Sequence, residues 1–434
     1  MSLKSQIEKL PHYNELVLPY HFGKALVYGL RYGFPARKLR VIGVTGTNGK
    51  TSTCFMLWKM LNEAGYRTGL MTTVAWGVDK LEKQVEHMTT VDSKTLNYRI
   101  KEIANRGAEY LVLEVTSHAL AQYRTLGVPI EIAIMTNVTH DHLDYHKTFE
   151  RYRDAKRKLF KKAQFGVINA GDKSAKFFEK DVSQCITYGI KTGDLRAEKV
   201  QMSLSGFKYE LAYYGNDTAF KALKGLRIES AMIGEFNIEN SLAAICAGYK
   251  LGLKTEEIKR GLAQLKEVDG RMALLQEGQN FSVIVDFAHT PDAFERLFAL
   301  INPIKKARVI ALSGAAGRRD ASTRAERGEI MGKEADIVIV TEEDCRDEDP
   351  EKIAEMLAQG AKKAGKVLGQ DLFMELDRKK AIRLAIKMAR KDDIVLLLGK
   401  GHEKTMEDQR GTYPYYEVDE AKKALKEFIA KKKS

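Results

Sequence analysis

Short apolar runs alternate with amphipathic stretches along most of the chain, beginning near Leu39. The apolar runs include RVIGVT, YLVLEVT, IAIMTNV, FSVIVDFA, RVIALSGA and DIVLLLGKG. Several are followed by segments with helical periodicity, such as PEKIAEMLAQGAKKAG. Because continuous apolar strands separated by helices form sheets that are covered on both faces, this pattern predicts an α/β fold with mostly parallel sheets.

Two changes in the pattern predict the domain organisation. Residues 186–233 contain short alternating pieces such as FKYELAYYG, which indicate a small antiparallel part. A second α/β series starts after VDGRMALL, so we expect a central domain at 39–270 and a Rossmann-like C-terminal domain at 271–434. Residues 1–38 are too few for a domain and predict a helix with a linker.

Composition and cysteine usage narrow the class of protein. The chain has 434 residues, of which 44% are hydrophobic and 30% charged, which is typical of soluble proteins with a sizeable core. No stretch approaches the roughly 18 apolar residues that span a bilayer, and the start lacks the features of a signal peptide. The four cysteines include no CxxC pair, which argues against a disulfide framework or a zinc site. A cytoplasmic protein is expected.

The formal net charge of +13 is compatible with nucleic acid, an anionic membrane surface or small anionic substrates. A lysine-rich solvated surface is the simpler alternative, and the terminal segment EAKKALKEFIAKKKS favours it. The chain shows no basic stripe interleaved with aromatic residues, so we expect no nucleic-acid partner. The expected partners are small molecules, with no membrane and a monomeric protein.

A glycine-rich segment, GVTGTNGKTST, joins an apolar run to a helical pattern. A loop of this kind can hold phosphate oxygens with backbone N–H groups and the N-terminus of the next helix. Lys50 would neutralise the β- and γ-phosphates, and Thr51 would bind magnesium. A ligand-free turn is the alternative, but it leaves the lysine and the hydroxyl unexplained. The spacing is not that of a dinucleotide-binding loop.

Polar clusters recur where apolar runs end, which is where ligands bind in open α/β sheets. Glu114 ends one run, and a carboxylate there suits magnesium, although a helix-start acid is a fair alternative. TNVTHDHLDYH follows another run, and its histidines are candidate metal ligands or surface residues, with His140 better explained as a surface residue. Lys156, in RYRDAKRKLF, is interpreted from the sequence alone as part of a solvated helix face.

Together these residues resemble the Mur ligases, and within that family the MurE type, which adds the third residue of the peptidoglycan stem peptide. The resemblance runs from about Leu39 to about His402. It is carried by GVTGTNGKTST, EVTSHALAQYR, TNVTHDHLDYH, YRDAKRKLF, GEFNIENSLAA, DFAHTPDA, GRRD and GKGHE. SHAL, HTPDA and GKGHE are more specific to the MurE type than to the wider family.

The resemblance implies an ATP-dependent, ADP-forming amide-bond ligase that adds an amino acid, expected to be a diamino acid, to a muramyl-peptide-type acceptor. It implies ATP and Mg²⁺, and a carbamylated Lys156 as a metal ligand. The implied catalytic residues are Lys50, Glu114, His142 and Lys156, and the implied metal ligands are Thr51, Glu114, His142 and Lys156. Nucleotide-binding positions are Gly46, Thr47, Asn48, Gly49, Lys50, Thr51, Ser52, Asn237, Asn240, Arg271, Asp286 and His289. Substrate-binding positions are Thr89, Thr90, Thr116, Ser117, Gln122, Arg124, Arg319, Arg346, Gly399 and Glu403.

Two departures from the family pattern leave the substrates open. MurE-type enzymes begin with a uridine-nucleotide-binding domain. Because only residues 1–38 stand in its place here, the sequence leaves open whether the acceptor is UDP-linked. Diaminopimelate-type enzymes carry Asp-Asn-Pro-Arg, whereas this chain has Glu343-Asp344-Cys345-Arg346. The arginine could hold a distal carboxylate through a bidentate pair, or the added acids could favour a distal amine.

Two rival functions are also open. One is a Mur-like ligase with another acceptor, such as a folylpolyglutamate synthetase or a ligase for a different cell-wall polymer. The other is a non-catalytic ATP-binding subunit. The motifs specific to the MurE type argue against the first, and the full set of chemistry-bearing residues argues against the second.

Overall fold

The computed structural model describes residues 17–84, 86, 88–203, 206–265 and 272–433. The chain forms two compact units. The first contains most of the residues up to 265, and the second contains residues 272–433 together with the short stretches 140–144 and 232–234.

The first unit alternates strands and helices from residue 40 onward, preceded by one helix and a 3-10 turn at Pro35–Lys38. Its strands are β1 (Arg40–Thr45), β2 (Thr68–Met71), β3 (Ala75–Val78), β4 (Lys80–Lys83), β5 (Tyr110–Glu114), β6 (Ile130–Met135), β7 (Ala163–Asn169), β8 (Cys185–Gly189), β9 (Leu195–Ser203), β10 (Gly206–Tyr213) and β11 (Arg227–Ser230). The helices are α1 (Leu18–Tyr32), α2 (Lys50–Glu63), α3 (Ser93–Asn105), α4 (Ser117–Ala121), α5 (Leu143–His146), α6 (Phe149–Phe160), α7 (Ala175–Glu179), α8 (Glu235–Lys250) and α9 (Thr255–Gln264).

One sheet joins all these strands, in the order β11-β10-β9-β8-β7-β6-β1-β5-β2-β3-β4. The strands from β9 to β2 pair in parallel, while the pairs at both edges of the sheet are antiparallel. β1, β5 and β6 lie side by side at the centre and are buried along almost their whole length. Their carboxyl ends therefore meet at one edge of the sheet, as the polar clusters in the sequence predict.

Local sequence signals explain where the helices of this unit begin. Thr148 caps α6 by accepting a hydrogen bond from the Arg151 amide, and Asp92 caps α3 through the Lys94 amide. Such caps satisfy backbone donors that have no partner inside the helix. α2 begins directly after the glycine loop, and its buried face packs beneath the central strands.

The second unit repeats the alternation on a smaller scale. Its strands are β12 (Ala273–Leu275), β13 (Ser282–Asp286), β14 (Val309–Ser313), β15 (Ile337–Val340), β16 (Leu372–Met374), β17 (Ile394–Leu398), β18 (Thr405–Asp408) and β19 (Gly411–Pro414). The helices are α10 (Pro291–Ile301), α11 (Ser322–Glu334), α12 (Pro350–Lys363), α13 (Arg378–Met388) and α14 (Glu417–Lys433).

Six of these strands form a sheet in the order β12-β13-β17-β14-β15-β16, parallel except for the β12–β13 pair. Its core is made of aliphatic residues from β13, β14, β15 and β17 packed on α13 and α14. Arg378 of α13 lies in this region with almost no exposure and pairs with Glu417 of α14 at 2.7 Å. The Tyr415 hydroxyl also donates a hydrogen bond to this carboxylate.

The predicted fold class is confirmed: mostly parallel sheets with an antiparallel part precede a Rossmann-like unit. The prediction of antiparallel strands at 186–233 is correct for the pairs β9–β10 and β10–β11, whereas β8 pairs in parallel with β7. Sequence analysis missed β2 to β4 and the hairpin β18–β19, because strands of four residues are too short to show a period. Within the described residues, no helix has the length and apolar character needed to cross a membrane.

Candidate active site

The glycine loop lies between β1 and α2, at the carboxyl end of the central strands. Asn137, which follows β6, accepts a hydrogen bond from the Asn48 amide at 2.9 Å and donates to the Asn48 carbonyl at 3.1 Å. The Thr47 amide donates to the Asn137 carbonyl at 2.8 Å. Gly49 has φ +85°, and a Cβ atom there would overlap Asn240 Oδ1. The loop is thus clamped by the neighbouring strand and needs glycine for its shape.

Lys50 is the first residue of α2, and its Nζ donates to the Gly46 carbonyl at 3.1 Å and to the Thr47 carbonyl at 2.8 Å. The ammonium group therefore lies over the concave side of the glycine loop. Ser52, also predicted to bind nucleotide, is buried in the first turn of α2. A helix N-terminus beside a lysine ammonium is suited to an anion.

Thr51 and Glu114 come together, although they are far apart in the sequence. Thr51 Oγ1 donates to Glu114 Oε2 at 3.0 Å, and Glu114 is only 1% exposed. Thr73, just after β2, adds its amide and its hydroxyl as donors to the same carboxylate, at 3.0 and 3.1 Å. A buried carboxylate beside a hydroxyl supplies the hard oxygen atoms that magnesium prefers.

Lys156 is not on a solvated helix face, so that interpretation of the sequence is wrong. It is 2% exposed and lies on α6, whose apolar side faces the sheet. Its Nζ donates to the Gly46 carbonyl at 2.6 Å and sits 4.4 Å from the centre of the Tyr152 ring. Both predicted lysines, Lys50 and Lys156, therefore contact the glycine loop.

His142 and Asp141 lie in the short stretch that groups with the second unit. His142 has φ +54°, a region that non-glycine residues seldom adopt. Its amide donates to Asp141 Oδ1 at 2.8 Å, and its Nε2 is 3.3 Å from Asp141 Oδ2. His140, by contrast, is exposed.

The residues expected to hold the acceptor form one hydrogen-bonded network. Thr90 Oγ1 donates to the Glu114 carbonyl at 3.0 Å and accepts from the Thr116 amide at 3.0 Å. Arg124 donates to the Thr90 carbonyl and to Gln122 Oε1, at 2.5 and 2.6 Å. Burial lowers the pKa of Arg124 from its usual value. The remaining two members contact other residues. Thr89 Oγ1 lies 3.0 Å from Thr73 Oγ1 and is the donor of that pair, because Thr73 gives its one hydroxyl proton to Glu114, and Ser117 is 3.0 Å from His146 Nε2.

α8 brings the two predicted asparagines to the start of α2. Asn240 Nδ2 donates to Asn237 Oδ1 at 3.0 Å, and Asn240 Oδ1 accepts from Thr53 Oγ1 at 3.3 Å. Both asparagines are buried. The pair therefore lies directly behind the glycine loop.

In the second unit, Asp286 ends β13 and accepts the amides of Met272 and Ala288, each at 2.7 Å. His289 Nδ1 is 2.8 Å from the Phe287 carbonyl. These bonds shape the loop that follows β13, at the carboxyl end of the sheet. Arg271 lies outside the described residues.

The loops after β15 and β17 also meet at that edge. Arg346 has φ +54°, and its Nε donates to Glu407 Oε2 at 3.1 Å. Glu403 Oε2 is 2.5 Å from the ammonium of Lys400, which has no measurable exposure. Gly399 has φ +107°, and a Cβ atom there would overlap Glu343 Oε2. Arg319, on the loop after β14, is exposed and away from these contacts.

Gln122 also donates to the Tyr145 hydroxyl at 3.3 Å, and Lys400 donates to Asp344 at 2.9 Å. Several residues of these networks were not predicted as site residues: Thr73, Tyr145, His146, Tyr152, Asp344, Lys400 and Glu407. Thr73 and Lys400 each follow a strand, so the rule about carboxyl ends of strands could have found them once β2 was recognised. Tyr152 carries no such signal, because its hydroxyl reaches Thr47 Oγ1 at 3.0 Å only through the tertiary fold.

The residues of the first unit fit a nucleoside triphosphate and a magnesium ion. The glycine loop excludes side-chain atoms at Gly49, and Lys50 covers it, which leaves backbone donors and an ammonium for phosphate. Thr51 and Glu114 supply hard oxygens beside it. Among the described residues no group of three or more His, Cys, Asp or Glu side chains could hold a metal, so a metal here would need hydroxyl and phosphate oxygens as further ligands.

Fold and site together define an α/β protein with a phosphate-binding loop followed by a Rossmann-like unit. Family models describe the same two parts: residues 44–248 match the Mur ligase middle domain, and residues 270–401 match the Mur ligase glutamate ligase domain.

Named relatives agree with these matches. The chain is 38% identical over 379 residues to the UDP-N-acetylmuramoyl-L-alanyl-D-glutamate–2,6-diaminopimelate ligase 1 of Clostridium acetobutylicum, covering 86% of this chain and 75% of that protein. It is 37% identical over 416 residues to a UDP-N-acetylmuramyl-tripeptide synthetase of Roseiflexus sp., covering 91% and 80%. The chain therefore belongs to the Mur ligase family, whose members are ATP-dependent, ADP-forming ligases that in general use ATP and Mg²⁺.

Solved structures give the same fold. A diaminopimelate ligase structure matches with a TM-score of 0.61 and 30% identity, over 90% of this chain and 79% of that one. The folylpolyglutamate synthase of Mycobacterium tuberculosis matches with a TM-score of 0.68 over 87% of this chain and 92% of that one. At 16% identity, that second likeness concerns the fold alone.

Proposed function

We propose that this protein is a MurE-type ligase that joins an amino acid to the carboxylate of a muramyl-peptide acceptor at the expense of ATP. One observation carries the proposal. The phosphate-binding loop, the Thr51–Glu114 pair and the Thr90–Arg124 network all lie at the carboxyl ends of adjacent parallel strands. A carboxylate held by the network would therefore lie near a nucleotide held by the loop.

The reaction has two steps. An oxygen of the acceptor carboxylate attacks the γ-phosphorus of ATP, and ADP leaves, which gives an acyl phosphate. The amine of the incoming amino acid then attacks the acyl carbon, phosphate leaves, and the nitrogen loses a proton to form the amide. Both steps concentrate negative charge on phosphoryl oxygens, so preorganised cations and N–H donors lower their barriers.

Particular side chains supply these groups in the proposal. Lys50 places its ammonium on the β- and γ-phosphates, and the loop amides hold the remaining oxygens. Magnesium held by Thr51 and Glu114, with His142 and Lys156 as further ligands, would neutralise charge on the transferred group. Arg124 is a half-buried cation that would orient the acceptor carboxylate, with Thr89, Thr90, Thr116, Ser117 and Gln122 around it.

Carbamylation of Lys156 is part of the proposal. An ammonium would repel magnesium, whereas the carbamate formed with carbon dioxide offers oxygen ligands. Lys156 is buried and lies against the glycine loop, so a group added to its Nζ would project into the phosphate region.

We also propose how the chain divides its tasks. Residues 39–270 bind ATP and the acceptor, and residues 271–434 bind the incoming amino acid. Of the segment 1–38 that precedes them, residues 1–16 lie outside the described residues, and the rest contains α1 and the 3-10 turn. In the second part, Arg271, Asp286 and His289 would contact the nucleotide. Arg319, Arg346, Gly399 and Glu403 would contact the amino acid. The protein would act as a monomer.

The test measures ADP and phosphate release with amino acids supplied against three acceptors: UDP-muramyl-dipeptide, free muramyl-dipeptide and a folate. ADP formation that requires both a muramyl-dipeptide and an amino acid, with a new amide product by mass spectrometry, is the expected result. Turnover with the folate alone would assign the protein to another acceptor class. ATP binding without turnover in any combination would favour a non-catalytic nucleotide-binding subunit.

A further inference from the structure

The loop 343–346 and the segment 399–407 bring together a carboxylate-rich cluster of side chains in the second unit, which we call the acidic pocket. Four carboxylates belong to it, and the cations among them are Lys400 and Arg346. Its members are Glu343, Asp344, Arg346, Lys400, Glu403 and Glu407. This inference rests on the proposed function, because it concerns the amino acid that the ligase adds.

Lys400 is the internal cation of the pocket. Its ammonium is 2.9 and 3.0 Å from the two oxygens of Asp344 and 2.5 Å from Glu403 Oε2, and its side chain has no measurable exposure. Burial acts to lower the pKa of Lys400, but Glu403 and Asp344 outweigh it and the pKa is raised. One ammonium therefore serves two carboxylates, and their combined charge is not balanced.

Arg346 is the cation that could hold a distal carboxylate, but it is already engaged. Its Nε donates to Glu407 Oε2 at 3.1 Å, and its Nη1 donates to the Gly317 carbonyl. Backbone bonds fix the pairing, because the Arg346 amide donates to the Glu407 carbonyl and the Glu407 amide donates to Asp344 Oδ1 at 2.9 Å. A substrate carboxylate would have to displace Glu407 or share the guanidinium with it.

Glu343 provides an independent sign of what the pocket accepts. The residue is 6% exposed, and its Oε2 has no hydrogen-bond partner among the described residues. That oxygen lies against Gly399, at the turn that leads to Glu403. The charge of the buried Arg327 acts on Glu343, but Arg327 Nη2 donates to Ser313 Oγ and to the Gly314 carbonyl. A buried carboxylate oxygen without a donor is costly, and a further cationic group beside it would satisfy it. Burial raises the pKa of Glu403, and the charge of Glu343 adds to this rise.

We infer that the incoming amino acid carries a distal ammonium and no distal carboxylate, as lysine and ornithine do. The side-chain ammonium would pair with Glu343 and Glu403 and complete the charge balance of the pocket. The distal end of 2,6-diaminopimelate also bears an ammonium, but it adds a carboxylate to a site whose arginine is occupied. We therefore do not expect diaminopimelate, which the name of the Clostridium relative contains, to be the preferred substrate of this chain.

The test compares kcat/KM for L-lysine, L-ornithine and meso-diaminopimelate in the full-length protein, at fixed ATP and acceptor. We expect lysine or ornithine to be preferred over diaminopimelate by at least about 30-fold, near 2 kcal/mol. Glu407→Gln should weaken the ion pair that holds Arg346, so that the arginine can bind the distal carboxylate of diaminopimelate. The ratio of the kcat/KM values should then fall by about tenfold. Asp408→Asn, on the same strand but paired with the exposed Arg410, is the matched control and should leave the ratio unchanged.

Equal or better use of diaminopimelate by the wild type would overturn the inference, as would a ratio that Glu407→Gln leaves untouched. Calorimetric binding of lysine and diaminopimelate gives a second measurement that does not depend on turnover. If no amino acid is ligated, the proposed function fails, and the binding comparison still decides the inference. Tighter binding of diaminopimelate, or no binding of either amino acid, would contradict it.

Discussion

The phosphate-binding loop of the first unit and the acidic pocket of the second are built on different principles. Backbone groups and neutral side chains shape the loop: Asn137 clamps Asn48, and glycine is needed at position 49. Ion pairs shape the pocket, where Lys400 joins Asp344 to Glu403 and Arg346 meets Glu407. The loop keeps the family's glycine spacing, whereas the pocket departs from its motif.

This difference indicates which of the two sites can change its substrate: the acidic pocket and not the glycine loop. A loop held mainly by backbone hydrogen bonds depends little on the charge of the side chains around it, and the phosphate that we propose it binds is common to all nucleoside triphosphates. A pocket held by ion pairs must stay close to balance, because an unpaired buried charge is costly. Asp344 stands where the motif has an amide, and it pairs with Lys400, a residue of the GKGHE motif. We propose that the resulting balance of charge determines which amino-acid side chain is accepted.

Removing Lys50 should give the largest effect and tests the claim that the loop serves phosphate rather than the fold. We expect Lys50→Ala to lower kcat by at least about 10³-fold, near 4 kcal/mol, because the main cation on the transferred phosphoryl group is lost. Thermal unfolding should change little, since Lys50 is only partly buried. Lys59→Ala, on the same helix, is the control and should retain activity. Unfolding of Lys50→Ala would mean that the loop depends on its lysine for structure.

The second prediction concerns ion pairs in the second unit. Arg378–Glu417 is buried between α13 and α14, and Arg383–Glu427 joins the same helices at the surface. Glu417→Gln leaves an unpaired buried guanidinium and should lower the free energy of unfolding by about 3 kcal/mol, whereas Glu427→Gln should change it by less than about 1 kcal/mol. Urea unfolding of the two variants measures both values. Equal effects would show that burial does not decide the strength of ion pairs here.

The variant Lys156→Ala tests whether the first unit needs the proposed carbamate beside its glycine loop. We expect Lys156→Ala to lower kcat by about 10²-fold, because the proposed carbamate ligand is lost. Acetate or formate in the buffer should restore part of the activity in this variant and none in Lys50→Ala. Lys158→Ala, two residues along α6, is the control for the helix. Full activity of Lys156→Ala would rule out the carbamate.

The sequence predicts the fold better than the site. Continuous apolar strands such as β1 and β5 have a strong pattern, and the motifs at their carboxyl ends identify Lys50, Thr51 and Glu114. The burial of Lys156 could not be predicted, because its neighbours on α6 are charged and only the tertiary packing turns Nζ toward Gly46. The Lys400–Asp344 pair was likewise hidden, since it joins two loops that are 56 residues apart.

The smallest predicted effect concerns a hydrogen bond between two neutral hydroxyl groups beside the acceptor network. Thr89 Oγ1 donates a hydrogen bond to Thr73 Oγ1 at 3.0 Å, and Thr73 in turn donates its own hydroxyl proton to Glu114. Thr89→Val keeps the shape but removes one neutral, partly buried hydrogen bond, which is worth about 1 kcal/mol. The KM for the acceptor should therefore rise about fivefold, while kcat and the KM for ATP stay within a factor of two.

Thr95→Val is the matched control for this last variant. Thr95 Oγ1 bonds to Asp92 at the start of α3 at 2.8 Å, outside the network, so its removal should leave the acceptor KM unchanged. If Thr89→Val instead lowers kcat about 100-fold, the hydroxyl must act on the transition state through Thr73 and Glu114. The acceptor network would then contribute to the phosphoryl-transfer step. It would differ from the acidic pocket only in the chemistry of its contacts, because the network and the pocket would both affect the reaction rate.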